Sequence, residues 1–297
     1  MFGYLEIIRP KNCLMAAFAV LIGSFLVLKL DLFEVWQPVA FVIAAAFLIT
    51  AAGNAINDYF DVEADRLNRP NRPIPSGKVS VRGALVFSVT LFLLGIFLAA
   101  FTNWLALGIA AFNSILLIFY SWSLQHKTFF GNFTVACLTG STFLFGGAAV
   151  GNIQLPLVFG LLAGLATVSR EIVKDIEDIE GDKKTFLKKQ SLVKKRLMER
   201  FIVTDEGVIV KYKEKTGMMT AALSLAVAIT ISPVPYILNI VSFSYLPLVI
   251  LADAVFALCI TLSAKSKETK DFSRISRFIK YGYLLGLLAF LAGILII

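Results

Sequence analysis

The sequence predicts an all-α membrane protein with nine transmembrane helices, and three observations support this fold class. Hydrophobic residues make up 58% of the 297 residues, whereas soluble domains typically contain about 45–50%. They form runs of about 17–25 residues, the length that crosses a bilayer core of roughly 30 Å. The basic residues avoid these runs and gather in alternate loops, as membrane topology requires. A soluble globular domain is therefore excluded.

The nine predicted spans are separated by polar connections, the longest of which are residues 57–80 after the second span and residues 174–216 after the sixth. Their bounds are Asn12–Leu30, Pro38–Ile56, Val81–Phe101, Trp104–Tyr120, Asn132–Val150, Leu155–Val173, Gly217–Leu238, Tyr245–Ser263 and Phe278–Ile297. The third and fourth spans are separated only by the turn Thr102–Asn103. No removable signal peptide is expected, because the first apolar run lacks a small-residue cleavage pattern and further spans follow it.

The distribution of positive charge predicts the orientation. Of the 28 lysines and arginines, all but Lys29 fall at the amino terminus or in and next to the loops that follow even-numbered spans. The positive-inside rule places these segments in the cytoplasm and the carboxyl terminus outside. The net charge of +8 is therefore explained by topology, and no nucleic-acid partner is expected.

The end of the second span is rich in Asn and Asp. Four residues have the spacing i, i+4, i+7 and i+11: Asn54, Asp58, Asp61 and Asp65. At about 100° per residue this spacing places them on one helix face, within a stripe roughly 60° wide. Such a stripe repels itself unless cations bind it, and hard oxygen ligands suit Mg²⁺ that also binds substrate phosphates. The segment predicts a Mg²⁺–diphosphate site.

The end of the sixth span repeats this pattern in the same register. Its matching residues are Glu171, Asp175, Asp178 and Asp182. The two segments are separated by four spans, so the sequence places them on the same side of the membrane as an internal repeat. The alternative is that both are solvated helix ends that mark the membrane boundary. Identical spacing in two segments favours the metal site.

Basic residues follow the first acidic stripe in a loop that Pro and Gly residues shape. They are Arg66, Arg69, Arg72 and Lys78. The forked guanidinium group of Arg suits phosphate oxygens. The alternative for any one of these residues is ordinary positive-inside charge.

These motifs resemble those of the UbiA superfamily of intramembrane prenyltransferases. The Asn/Asp-rich first motif of the family is matched by Asn57–Asp65, and its Arg-Pro-x-Arg-Pro-x-x-x-Gly signature is matched by Arg69–Gly77. The second motif is matched within Asp175–Asp182, and Arg9–Asn12 resembles the Arg-Pro-x-Asn start of span one. The resemblance covers almost the whole chain and implies one UbiA-type domain over residues 1–297.

The segment Ser169–Asp178 looks most like the archaeal lipid branch of this family. That likeness implies Mg²⁺-dependent transfer of a geranylgeranyl group from its diphosphate to geranylgeranylglyceryl phosphate, which forms the second ether bond of archaeal lipids. The partners expected are these substrates and the bilayer, without an obligate protein partner. The open alternatives are a UbiA-type enzyme with an aromatic acceptor (hydroxybenzoate, naphthoate or porphyrin), a divalent-cation or anion transporter, and a non-catalytic scaffold.

The resemblance also implies roles for individual residues. The catalytic carboxylates expected are Asp58, Asp61, Asp175 and Asp178. The Mg²⁺ ligands expected are Asn54, Asn57, Asp58, Asp61, Asp65, Asp175, Asp178 and Asp182. The substrate contacts expected are Arg9, Asn12, Arg69, Arg72, Tyr120, Lys127 and Lys174.

The sequence departs from the family pattern in two places. Where a Leu-Lys pair is usual, Leu124 is followed by Gln125, and Lys127 is the nearest cation. A long charged stretch over residues 183–216 replaces a short loop, and residues 201–212 within it are interpreted as a β-hairpin that covers the membrane surface. A partner-binding element is the alternative for this insertion. Asp253 lies inside a span and is not assigned to the site; a functional contact and a helix-packing hydrogen bond are both open.

Overall fold

The computed structural model describes residues 2–29, 31, 34–125, 128–188, 202–204, 207–209, 214–265 and 269–295. The chain divides into two compact units. The first contains Met1–Gln125 and Cys137–Leu161, and the second contains His126–Ala136 and Leu162–Ile297.

Helices account for most of the described residues. Those of the first half are α1 (Phe2–Ile7), α2 (Pro10–Leu28), α3 (Trp36–Phe60), α4 (Val62–Asn68), α5 (Val81–Ala100), α6 (Trp104–Phe119) and a π-helical turn (Tyr120–Leu124). Those of the second half are α7 (Thr128–Ala149), α8 (Gln154–Lys188), α9 (Glu214–Ile231), α10 (Val234–Ile237), α11 (Tyr245–Lys265) and α12 (Thr269–Leu295). The strands β1 (Ile202–Thr204) and β2 (Gly207–Ile209) pair antiparallel, with Val203 opposite Val208.

The helices have the length and surface of membrane spans. Within the part of the chain that the structure describes, eight helical segments are long and apolar enough to cross a bilayer. Large apolar side chains point outward from them, including Leu93 (63% exposed), Trp104 (87% exposed) and Ile115 (67% exposed). Water would make such a surface unfavourable, whereas lipid chains solvate it. The protein is therefore a multi-pass membrane protein.

Helix starts in the first unit follow from local chemistry. Pro10 begins α2, where its missing N–H would have had no helical partner. The side chain of Ser80 accepts a hydrogen bond from the Gly83 N–H at the start of α5. The side chain of Asn103 does the same for the Ala106 N–H at the start of α6. Each cap satisfies an amide that the helix itself leaves unpaired.

Small residues bring the helices of the first unit close together. The core includes many alanines: Ala45, Ala46, Ala52, Ala99, Ala106, Ala110 and Ala148. At the crossing of α2 and α7, a Cβ built on Gly23 would lie 2.1 Å from the Phe143 carbonyl oxygen. A Cβ on Gly146 would lie 2.0 Å from the Val20 carbonyl oxygen. The Ser24 hydroxyl donates to the Gly146 carbonyl at 2.9 Å, as expected where membrane helices touch through small residues.

The second unit has its own core of larger side chains. Buried members include Val173 of α8, Leu225 of α9, Cys259 of α11, and Phe272 and Ile279 of α12. Together they bury the inner faces of four helices. The outer faces remain apolar, as a lipid environment allows.

A break after α9 is closed by polar groups. Pro233 lacks the N–H that would continue the helix, and α9 ends at Ile231. The Ser232 hydroxyl donates to Asp253 at 2.6 Å, and the Tyr245 hydroxyl donates to the Ser232 carbonyl at 2.7 Å. In this structure Asp253 makes a helix-packing hydrogen bond, one of the two interpretations that the sequence left open.

Three sequence predictions are corrected here. The seventh span is not one helix to Leu238, because Pro233 divides it into α9 and α10. The sixth span was bounded at Val173 by its apolar run, whereas its helix α8 continues to Lys188, as the predicted helical stripe over Glu171–Asp182 requires. The first acidic segment is not one uninterrupted helix, since α3 ends at Phe60 and α4 begins at Val62. The added helix α4 also includes the start of the predicted loop.

Candidate active site

The turn between α1 and α2 carries the first cationic group of the site. Arg9 has a left-handed backbone conformation (φ 50°), which is uncommon for a residue with a side chain. It immediately precedes Pro10, which limits the backbone further. Its guanidinium group donates to Asp58 Oδ1 in α3. Backbone strain at one residue is thus combined with a specific ion pair, as is frequent at functional sites.

Arg72 bridges two acidic residues in the same unit. Its Nη1 lies 3.1 Å from Asp58 Oδ1 and 2.5 Å from Asp65 Oδ2. Asp58 is 3% exposed and Asp65 is 6% exposed. Buried carboxylates require partners of opposite charge. The two arginines provide them, so each buried carboxylate of this cluster is paired with a charge of opposite sign.

The loop after α4 brings Arg72 into position. It folds back on itself through hydrogen bonds from the Arg72 N–H to the Arg69 carbonyl and from the Val79 N–H to the Pro73 carbonyl, both 3.0 Å long. Gly77 has φ 77°, a conformation that glycine adopts without penalty. The Lys78 ammonium pairs with Glu6 at 2.7 Å and ties the loop to α1.

The predicted Asn ligands have their amide nitrogens engaged. Asn54 Nδ2 donates to the Ile8 carbonyl at 2.8 Å, and Asn57 Nδ2 donates to Gln125 Oε1 at 2.6 Å. Gln125 Nε2 in turn donates to Asp61 Oδ1 at 2.7 Å. An amide has one acceptor end and one donor end. With both nitrogens committed, the Asn side chains present their oxygens as the remaining ligand atoms.

The donor chemistry fits a hard cation. Carboxylates of Asp58 and Asp65 share one cluster, and the amide oxygens of Asn54 and Asn57 come from the same helix, α3. Among the described residues there is no group of three or more carboxylate, His or Cys side chains that could hold a metal ion. Mg²⁺ does not require such a cage, because it keeps several waters and uses one or two carboxylates together with substrate phosphates.

The second acidic segment belongs to the other unit and is described separately. Asp175 in α8 accepts a hydrogen bond from Asn132 Nδ2 of α7 at 2.9 Å. Glu177 accepts one from the Ser273 hydroxyl at 2.5 Å. Asp178 and Asp182 lie in the helical backbone of α8, and their side chains are outside the described set. Of the predicted ligands in this segment, the structure describes the side-chain contacts of Asp175.

The remaining predicted substrate contacts differ in their surroundings. Asn12, Arg69 and Lys174 are exposed. Tyr120 is half-buried at the beginning of the π-helical turn. Lys127, which was predicted to replace a family cation, lies outside the described residues.

Sequence reasoning did not assign Gln125 or Asn132 to the site. Each is an amide that bonds to a predicted carboxylate ligand from a different part of the chain. Gln125 had one usable signal, because it occupies a position where the family resemblance leads one to expect Lys. Asn132 had none, since an Asn near the start of an apolar run resembles any helix-end residue.

A multi-span helical fold with Arg–Asp ion pairs at the end of one span characterises this integral membrane protein. The chain belongs to the UbiA prenyltransferase family, which it matches over residues 16–282. Membership of this family makes the protein a prenyltransferase.

Individual relatives are similar over their full length. A digeranylgeranylglyceryl phosphate synthase of Methanopyrus kandleri is 42% identical over 297 residues, which cover 99% of this chain and 100% of that protein. A solved structure of a digeranylgeranylglyceryl phosphate synthase is 37% identical and has a TM-score of 0.83, covering 99% of this chain and 98% of that one. A UbiA homologue from Archaeoglobus fulgidus bound to GPP and Mg²⁺ is 16% identical with a TM-score of 0.56, over 96% of this chain and 99% of that one. This last likeness shows the fold alone.

Proposed function

We propose that the protein transfers a geranylgeranyl group from geranylgeranyl diphosphate to geranylgeranylglyceryl phosphate and forms the second ether bond of an archaeal membrane lipid. The observation that carries this proposal is the similarity over the full length to digeranylgeranylglyceryl phosphate synthases, at 42% and 37% identity. The buried cluster of Arg9, Asp58, Arg72 and Asp65 supports it, because a diphosphate and its counter-cation need charges of both signs.

We assign the metal to the oxygen atoms of the first acidic segment. Asp58, Asp61 and Asp65 supply carboxylates, and Asn54 and Asn57 supply amide oxygens. Mg²⁺ bound there would neutralise charge that develops on the departing diphosphate. The complex of the A. fulgidus homologue with GPP and Mg²⁺ supports the choice of metal.

In the proposed reaction, the two arginines exchange carboxylate partners for phosphate oxygens. Arg9 and Arg72 hold Asp58 and Asp65 in this structure. With a diphosphate and its cation bound, Asp58 and Asp65 would hold the cation, and the guanidinium groups of Arg9 and Arg72 would hold the diphosphate. Both sets of charges stay paired throughout, so no buried charge is left uncompensated.

The chemical step breaks the bond between C1 of the prenyl chain and the diphosphate oxygen. The electron pair leaves with the diphosphate, and C1 gains allylic cation character. The hydroxyl oxygen of the acceptor then bonds to C1, and its proton passes to an oxygen of the released diphosphate. The apolar helices exclude water, which would otherwise capture the cation as a free alcohol.

The same role is proposed for the second acidic segment because it repeats the spacing of the first. Asp175, Asp178 and Asp182 would serve as metal ligands there. Further substrate contacts are proposed for five residues whose types suit phosphate or an allylic cation. They are Asn12, Arg69, Tyr120, Lys127 and Lys174.

The topology is also part of the proposal. We infer that α7 is a ninth span. Its Thr134 hydroxyl donates to the Phe130 carbonyl of the same helix, and this hydrogen bond lowers the cost of placing a polar residue in lipid. Nine spans would put the two termini on opposite sides of the membrane, and the distribution of Lys and Arg then favours a cytoplasmic amino terminus and active site and an outer carboxyl terminus. Residues 1–297 would then act as one catalytic domain, in which a hairpin within residues 201–212 covers the membrane surface.

A direct assay tests this function. Purified protein in detergent or lipid is incubated with radiolabelled geranylgeranyl diphosphate, geranylgeranylglyceryl phosphate and Mg²⁺, and the lipid products are separated. We expect a diether that disappears with a chelator and in Asp58→Ala and Asp175→Ala. Glu63→Ala is the matched control, because Glu63 lies in the same acidic segment but is 78% exposed and pairs with Arg66 at the surface.

Each outcome has a distinct meaning. Release of diphosphate without a diether would leave the prenyl-transfer chemistry in place and reject this acceptor, in which case aromatic acceptors are tried. Folded protein that gives neither product would overturn the proposed function. Equal loss of activity in Glu63→Ala would show that net charge, and not the buried carboxylates, is required.

A further inference from the structure

Gln125 joins two predicted metal ligands through its side chain. Its Nε2 donates to Asp61 Oδ1 at 2.7 Å, and its Oε1 accepts from Asn57 Nδ2 at 2.6 Å. Asn57 and Asp61 are four residues apart at the end of α3, so they lie side by side. Gln125 itself is not a ligand in the function proposed above.

The backbone before Gln125 explains how it reaches α3. Residues Tyr120–Leu124 form a π-helical turn, closed by a hydrogen bond of 2.9 Å from the Gln125 N–H to the Tyr120 carbonyl. This i→i+5 bond accommodates one more residue than an α-helical turn and changes the direction of the side chains that follow. The turn packs against α3. Such π-turns are rare and frequently occur at functional sites.

The two bonds of Gln125 determine which atoms the ligands present. An Asn side chain can turn either its oxygen or its N–H group toward a cation, and only the oxygen binds one. Because Gln125 Oε1 holds the nitrogen of Asn57, the amide oxygen of Asn57 is directed to its other side. The bond from Gln125 Nε2 likewise fixes one oxygen of Asp61 and thereby the plane of its carboxylate.

We propose that Gln125 is a positioning residue, which orients Asn57 and Asp61 as oxygen donors for the divalent cation of the reaction. The proposal rests on the function proposed above and adds a residue to it. Groups that orient metal ligands typically affect metal affinity by about 10–100-fold. A carboxamide carries a donor and an acceptor at the same distance along its side chain, so Gln125 can donate to Asp61 and accept from Asn57 at the same time.

Three substitutions separate the two bonds. Gln125→Leu removes both while keeping a similar volume. Gln125→Glu keeps an acceptor for Asn57 but replaces the donor to Asp61 by a carboxylate oxygen, which repels it. Gln125→Lys keeps a donor for Asp61 but cannot accept from Asn57. Gln154→Leu is the matched control, because Gln154 is an exposed glutamine at the beginning of α8.

Two readouts test the proposal. The first is the Mg²⁺ concentration that gives half-maximal activity, measured separately from kcat at saturating Mg²⁺. The second is Mn²⁺ affinity, measured from the electron paramagnetic resonance of free Mn²⁺ in the presence of the unreactive geranylgeranyl thiolodiphosphate. We expect Gln125→Leu to raise the half-saturating Mg²⁺ concentration and to lower the Mn²⁺ affinity, each by about tenfold or more. The Glu and Lys variants should show smaller changes, and Gln154→Leu should show none.

A double variant strengthens the comparison. If Gln125 acts through Asn57, Gln125→Leu should weaken Mn²⁺ binding less in an Asn57→Ala background than in the wild type. Equal effects in both backgrounds would remove Asn57 from the proposal.

The outcomes are distinguishable. If the wild type forms the diether and binds Mn²⁺, but Gln125→Leu retains wild-type metal affinity, the inference about Gln125 is overturned alone. A loss of kcat and melting temperature at unchanged metal affinity would assign Gln125 a structural role and also overturn it. If Gln125→Leu does not fold, the metal affinities of the Glu and Lys variants are compared with that of the wild type instead. A wild type with neither activity nor Mn²⁺ binding overturns both proposals.

Discussion

Replacing Arg72 by Met tests whether the bridge between Asp58 and Asp65 stabilises the protein. The change keeps an unbranched aliphatic side chain but removes ion pairs of 3.1 Å and 2.5 Å. Only 4% and 9% of the carboxylate side chains and 19% of the Arg72 side chain are exposed, so water and salt screen them little. Breaking a buried pair costs about 3–5 kcal/mol. Because Arg9 still pairs with Asp58, we expect the lower value, about 3 kcal/mol.

This loss is measurable as a shift in melting temperature. For a chain of this size 1 kcal/mol corresponds to roughly 2 °C, so Arg72→Met should melt about 6 °C below the wild type. Circular dichroism in detergent with a chelator present measures the shift. Adding Mg²⁺ should restore part of the loss, because the released carboxylates can then accept a cation.

Arg66→Met is the matched control for this experiment. Arg66 pairs with Glu63 on the surface, with 53% and 78% of their side chains exposed, and exposed pairs contribute little to stability. If Arg72→Met melts together with Arg66→Met and the wild type, the buried ion-pair cluster does not stabilise the fold and the reasoning is refuted.

Two further predictions concern helix packing and the second acidic segment. Gly146→Val should lower the melting temperature and the yield of folded protein, because a Cβ there would lie 2.0 Å from the Val20 carbonyl oxygen. Gly108→Val is the control, because a Cβ at Gly108 meets nothing within 4 Å. Equal yields of the two variants would contradict the crossing of α2 and α7. Asn132→Leu should raise the half-saturating Mg²⁺ concentration about tenfold, because it removes the bond of 2.9 Å to Asp175. An unchanged Mg²⁺ dependence would argue against a role for Asn132 in orienting that carboxylate.

Hydropathy predicted the helices best where polar residues interrupt the apolar runs sharply. The helices α5 and α6 begin at Val81 and Trp104 as predicted, because Ser80 and Asn103 both interrupt the apolar sequence and cap the helices. The sixth span was predicted too short, since hydropathy detects the membrane boundary and α8 continues beyond it to Lys188. In the seventh span the apolar run continues through Pro233, so hydropathy did not reveal that the helix ends before this proline, which lacks the N–H needed to continue it.

The residues of the first acidic segment were predictable, but their partners were not. Helical spacing grouped Asp58 with Asp65 because both lie on one stretch of chain. The pairing of Asp58 with Arg9 depends on a left-handed turn before Pro10, which no periodicity reports. The contact of Gln125 depends on an i→i+5 turn, whereas sequence analysis assumes a period of 3.6 residues. Side-chain contacts of this kind, between residues far apart in the sequence, can therefore be identified only from a three-dimensional structure.

The close crossing of α2 and α7 limits how Arg9 can respond when a substrate arrives. Gly23 and Ser24 lie against the backbone of α7, so α2 cannot slide or rotate there without a collision between main-chain atoms. Arg9 stands one residue before this helix begins. In the function proposed above, Arg9 would therefore exchange Asp58 for a phosphate by rotation about its own side-chain bonds, which takes picoseconds to nanoseconds for accessible groups. Capture of the substrate would then require the removal of water from two charges, without movement of a helix.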